Sequence, residues 1–189
     1  MPTAVTAPPK PRRSLLAALL SAVLLSSVAA FLPGCTRPQS GDTGQGTRLQ
    51  GSIAAVSDGD SFTLVDADGR RIGIRIAGID APEKSQPHAD AARDHLARML
   101  ALGSIEILPI KTDPFGRRVS RVHARGQDVA LRQLQAGLAW HFMRYAGEQP
   151  ADERERYALA EREARLARRG LWTDPQPQAP WTFRQRNRG

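Results

Sequence analysis

Cysteine is almost absent from this 189-residue chain: Cys35 stands alone. One cysteine closes no intrachain disulfide and cannot build a zinc site from paired thiolates. Histidine is scarce too. His88, His95, His123 and His141 show no short metal-ligand spacing. His88 and His95 fall two helical turns apart and are expected on solvated surface. A histidine-metal centre is therefore not expected. No acidic residue precedes Asp42, and no internal repeat is visible.

Positive charge is what the chain has in excess. The formal net charge is +8, with a pI near 10.9. Lys10, Arg12 and Arg13 belong to a basic, Pro-rich start; setting them aside leaves 24 basic residues against 19 acidic ones. That balance suits a polyanionic partner, without excluding an arginine-rich surface that binds nothing. Leu15 to Leu32 is an apolar run of 18 residues without charge. A basic stretch followed by such a run is the layout of a secretory signal, and its length approaches that of a membrane span. Leu32-Pro33-Gly34-Cys35 follows and resembles a bacterial lipoprotein cleavage box, which implies an acylated Cys35 as mature N-terminus and membrane tether. Plain cleaved export and an uncleaved anchor are the competing readings. All three export the domain, as a lipid-anchored envelope protein or a secreted or periplasmic one. Residues 1–35 are thus expected to be an export segment. Residues 36–47, rich in Gly, Ser, Thr, Gln and Pro, are expected to be a flexible linker.

Beyond the linker, alternation predicts strands. Leu49, Ile53 and Val56 mark a first strand. Phe62 and Leu64 share one face of a second, over Asp60–Val65. Ile72, Ile74 and Ile76 share one face of a third, over Arg70–Ala77, with Arg71, Gly73 and Arg75 opposite. Helical spacing over Pro87–Leu102 places Ala89, Ala92, Leu96, Met99 and Leu100 on one stripe. Strands follow at Ser104–Ile110 and Arg117–Ala124, then helices at Val129–Ala136 and Asp152–Arg169. In the last helix, Tyr157, Ala160, Ala164 and Ala167 are expected to face inward. This order predicts an α+β, mainly β fold: a five-stranded OB-fold barrel with three helices, spanning residues 48–173. Residues 174–189 read as a loosely attached, Pro/Gln-rich basic extension.

The chemistry concentrates between Val56 and Glu83. Asp58, Asp60, Asp80 and Glu83 sit there with Arg75, around apolar strand sequence. Carboxylates enter a core only when paired or bound to metal. Asp60 shares parity with Phe62 and Leu64, which predicts a place at the barrel mouth. Asp80 lies just past the third strand. Pro82 biases Ala81 towards an extended conformation that presents its carbonyl. Arg75 lies off the isoleucine face, free to reach a ligand, and Arg117 follows a glycine after a loop. A hard divalent cation takes oxygen ligands of this kind. Arginine donates two parallel hydrogen bonds to phosphate and stays charged.

Asp58-Gly59-Asp60, Arg75, Asp80-Ala81-Pro82-Glu83 and Thr112-Asp113-x-Phe115-Gly116-Arg117 together resemble the thermonuclease family, the staphylococcal-nuclease-like domains. The likeness continues through Gln135–Trp140 and Ala164–Trp172. It implies calcium-dependent phosphodiester hydrolysis of DNA and RNA by a monomer. Asp60, Asp80 and the Ala81 carbonyl would hold calcium. Glu83 would be the general base or orient the water, and Arg75 and Arg117 would bind the phosphate. Asp58 would stand near the metal without ligating it. Tyr145 matches a tyrosine of the substrate groove, and Phe115 is assigned to substrate with it. Pro114 and Phe115 replace a lysine and a tyrosine, and Met143 a second groove tyrosine, which implies a more open cleft. The alternative is an OB-fold module that binds nucleic acid without catalysis. Such a module has no use for Asp60, Asp80 and Glu83 beside a phosphate.

Overall fold

A computed structural model describes residues 47–187. The expected export segment, Cys35 and nearly all of the linker lie outside the described residues. The first three strands are β1 (Ser52–Val56), β2 (Ser61–Val65) and β3 (Arg71–Ile76). They form an antiparallel meander in which Phe62 faces Ile74 and Ser61 faces Arg75. Phe62, Leu64, Ile74 and Ile76 are buried, the faces that alternation assigns to the core.

Helix α1 (Ala89–Leu100) buries the stripe expected of it: Ala89, Ala92, Leu96, Met99 and Leu100. Before it comes a two-residue strand, β4 (Ile79–Asp80). After it, β5 (Ile105–Thr112) and β6 (Arg118–Ala124) pair as a hairpin, with β7 (Gln127–Asp128) folding back on β6. β6 also runs parallel to β3, so the main sheet has six strands, ordered β1-β2-β3-β6-β5 with β7 beside β6. The five-strand closed barrel is thus not what the sheet ladders form. Its edges meet at one bridge, where Leu49 N–H donates to the Ile107 carbonyl (3.0 Å).

Helix α2 (Val129–Gln135) starts at Asp128, whose side chain accepts the Leu131 N–H. β8 (Trp140–His141) pairs with β4, placing Asp80 opposite Trp140. A 3-10 turn over Met143–Glu148 leads to α3 (Ala151–Leu166). Its N-cap is Pro150, and Asp152 lies in the first turn. Tyr157, Ala160 and Ala164 are buried, but Ala167 is exposed because the helix stops at Leu166.

The expectation for the tail fails. Residues Pro180–Arg186 form a fourth helix, α4, with proline at its first turn, where a missing N–H costs nothing. Trp181 packs edge-on to Trp140, with centroids 5.6 Å apart, and tilted against Phe142 at the same distance. The extension is docked by these ring contacts and by Arg184, which pairs with Asp80 and Glu83.

Candidate active site

The Asp58–Asp60 turn is built by local hydrogen bonding. Asp58 Oδ1 accepts the Asp60 N–H (3.0 Å), and Ser57 N–H donates to the Ser61 carbonyl (2.9 Å). Between them Gly59 is pressed against two other elements. A Cβ there would stand 2.6 Å from that of Ala92 in α1 and 2.7 Å from that of Ala81. Gln133 of α2, fully buried, donates to the Gly59 carbonyl (2.6 Å) and to that of Ala92 (3.0 Å). Its own oxygen accepts from His95 Nδ1 (2.6 Å), so His95 is half-buried structure rather than solvated surface.

That scaffold delivers Asp60 to β4. Asp60 Oδ2 accepts the Ala81 N–H (2.6 Å), and Oδ1 accepts the Ser61 hydroxyl (2.9 Å). Arg75 lies between the two aspartates. It is ion-paired to Asp60 and donates to Asp80 Oδ1 (2.8 Å). Asp60 and Asp80 are 4% and 1% exposed. They sit inside the core margin, not at an open mouth, and Arg75 is turned onto them rather than held free. Pairing and the backbone N–H offset the cost of burying these charges.

The titration behaviour follows. Burial, then the charge of Asp60, pushes Asp58 from its ordinary 3.8 up to about 7. Burial also raises Asp80, although Arg184 and Arg75 pull the other way. For Arg75, burial opposes the charge, but Asp60, Asp80 and Asp58 outweigh it and hold the guanidinium protonated.

Glu83 occupies the loop after Pro82 and is more than a third exposed. Its N–H donates to Gln86 Oε1 (2.9 Å). Arg117 follows Gly116, whose φ of 80° makes the turn that a side chain would strain. Asp113 holds that turn: Oδ1 accepts the N–H groups of Phe115 and Arg117, and Oδ2 accepts Arg117 Nε (2.8 Å). Burial pushes the Asp113 carboxyl up, but these donors together outweigh it and hold Asp113 below the usual carboxylate range.

Asp60, Arg75, Asp80, Ala81, Glu83, Phe115, Arg117 and Tyr145 all line one cleft of about 1220 Å³. Phe115 is 80% exposed, and Lys111 Nζ lies 4.2 Å from the Tyr145 ring centre. Three residues to which the sequence alone assigns no role support the cleft. Gln133 and Asp113 hold the two turns, and Arg184 of α4 enters beside Asp80 and Glu83. Trp181 with Pro180 at a helix start was the one sequence signal that could have revealed α4.

Do these residues fit a divalent cation? Among the described residues, no group of three or more Asp, Glu, His or Cys side chains is arranged around a common point. A cation would rest on two carboxylates and a carbonyl, all hard oxygen donors of the kind calcium takes. Burial is the main reason that the Asp58 and Asp80 carboxyls are raised, and a divalent cation beside them would offset that cost. The donor set fits.

A meandering sheet with a helix behind it, carrying aspartates, a glutamate and arginines around one cleft, defines a class. The staphylococcal nuclease homologue family matches residues 73–174. The chain belongs to that family. It is 30% identical to an uncharacterized endonuclease of Escherichia coli O157:H7 over 139 residues, which is 73% of this chain and 86% of that one. A micrococcal nuclease of Shigella flexneri is 31% identical over 146 residues, covering 72% and 81%. A staphylococcal-like nuclease of Arabidopsis thaliana is 35% identical over 129 residues, covering 68% and 38%. The chain spans only about a third of the length of the plant relatives it matches.

Proposed function

We propose that this protein is an exported, calcium-dependent nuclease that hydrolyses phosphodiester bonds of DNA or RNA. One observation carries the reading: two buried aspartates, a half-buried glutamate and two arginines from separated segments line a single cleft. Family membership and the names of the relatives support it.

Asp60, Asp80 and the Ala81 carbonyl would hold the cation, which when bound supplies Lewis acidity and a template for the phosphate. Glu83 is less buried than Asp60 and Asp80, and it takes the proton of the attacking water or orients that water. Arg117, fixed through Nε by Asp113, keeps its terminal nitrogens for phosphate oxygens. Its neighbour Ser61 Oγ, 3.4 Å away, competes weakly. Arg75 adds positive charge behind Asp60 and Asp80, stabilising the charge that grows on the phosphate. Tyr145 and Phe115 offer exposed rings on which bases stack. Cys35, in the segment resembling a lipoprotein signal, would anchor a monomer to the envelope; otherwise the protein is secreted or periplasmic.

Incubation of the chain with plasmid DNA, with calcium and with chelator, tests the reading. Cleavage is expected with calcium only, and Glu83→Gln is expected to lower kcat by about 10²–10⁴. Cleavage that survives chelation, or a fully active Glu83→Gln, overturns it.

A further inference from the structure

We infer that Arg184 is a positioning residue of this site, carried in by α4 to hold the Glu83 and Asp80 carboxylates in fixed relation. The inference rests on the nuclease reading above. Arg184 Nη1 donates to Glu83 Oε1 (2.6 Å) and to Asp80 Oδ1 (3.2 Å), while Nη2 donates to Asp80 Oδ2 (2.8 Å). A guanidinium is a rigid planar fork. Two carboxylates bound to one fork cannot turn independently.

Glu83 needs such a partner. It sits in a loop, more than a third exposed, on a side chain with several free torsions. The C-terminal segment grips this loop twice. Gln86 accepts the Glu83 N–H with its oxygen, and its nitrogen donates to the Gln178 carbonyl (2.9 Å). One amide thus ties the Glu83 backbone to the chain just before α4, and Arg184 ties the side chain to α4 itself. Trp181 anchors the helix against Trp140, the register partner of Asp80. Backbone, side chain and neighbouring strand are therefore referred to one short helix.

Arg75 and Arg184 bond Asp80 Oδ1 and Arg184 bonds Oδ2, which leaves one lone-pair direction of Asp80 open. Two carboxylate oxygens offer about four lone-pair directions, and Asp80 Oδ2 receives Arg184 alone among the bonds described. Arg184 holds the acid without using all of its coordinating capacity.

The test compares the full chain with Arg184→Ala and Arg184→Lys in steady-state cleavage of a single-stranded oligonucleotide with calcium. Arg184→Ala is expected to lower kcat by about 100-fold, the typical cost of a small misplacement, with KM changed less than about threefold. Arg184→Lys is expected to recover part of the loss, because an ammonium reaches one carboxylate but cannot fork. Amide hydrogen exchange supplies a readout without turnover: the Glu83 and Gln86 amides exchange faster in Arg184→Ala, while those of the β5–β6 hairpin do not change. If Arg184→Ala does not fold, Arg184→Gln takes its place. A wild-type kcat in the variant overturns the inference. So does a rise in KM alone, which would make Arg184 a substrate contact. A gain in activity with tighter calcium binding by calorimetry also overturns it, as that would make Arg184 a plug. If the wild-type chain cleaves no phosphodiester, the nuclease reading falls, and the exchange data alone decide whether Arg184 orders the Glu83 loop.

Discussion

Asp58 and Asp60 stand two residues apart and carry different burdens. Asp60 has Arg75, the Ala81 N–H and the Ser61 hydroxyl; Asp58 accepts the Asp60 N–H and faces the Asp60 charge. The folded protein therefore keeps a proton on Asp58 up to about pH 7, whereas the unfolded chain releases it near 3.8. A raised carboxyl pKa contributes stability that is complete below the unfolded value and is lost as pH rises through the folded one. Urea unfolding without divalent cations should show Asp58→Asn gaining on wild type at each step from about pH 4 to 7, and no further above. Adding calcium should shrink the gap. An unchanged gap across that range would place the excess negative charge elsewhere.

Helix α2 acts on the site without touching the cleft. Its Gln133 reaches the carbonyl of Gly59, the residue between the two aspartates, and that of Ala92 in α1. Gln133→Leu keeps the volume but takes the side-chain donor from the buried Gly59 carbonyl, while the Ala92 carbonyl keeps its place in the α1 ladder. The expected loss is about 1–3 kcal/mol of unfolding free energy, measured in urea. Calcium affinity should fall with it, because Asp60 rides on the same turn. The strands show the opposite dependence on their neighbours. Phe62/Leu64 and Ile74/Ile76 are legible because period-two alternation survives in any context. β4 and β8 are not legible: two residues carry no period, and the pairing of Asp80 with Trp140 joins positions 60 apart. Ala167 misleads for a similar reason, since spacing continues past the point where α3 ends.

At the scale of the whole molecule, residues 178–187 are part of the domain. A chain ending at Pro177 would lose Trp181 from its contacts with Trp140 and Phe142, and the bond from Gln86 to Gln178. Its thermal midpoint should drop by several degrees, at about 2–8 °C per kcal/mol lost. Tryptophan emission should shift to the red as Trp140 meets water. A midpoint equal to that of the full chain would mean that α4 adds no stability. The basic surplus expected to serve a polyanionic ligand is also partly internal: Arg75, Arg121 and Arg184 are committed to Asp80, Glu153 and Glu83.

The amino-acid sequence alone determined the acid and base types, their spacing around Pro82, the strand faces that fill the core, and the turn chemistry at Asp58-Gly59 and Asp113–Gly116. These are local properties, set by backbone preference and side-chain alternation within a few residues. Only the tertiary structure decided that Arg75 turns onto Asp60 and Asp80, that Gln133 holds the turn between the aspartates, and that Arg184 reaches Glu83 across 101 positions. Such contacts depend on which surfaces meet when apolar faces are buried, and linear spacing does not encode that meeting.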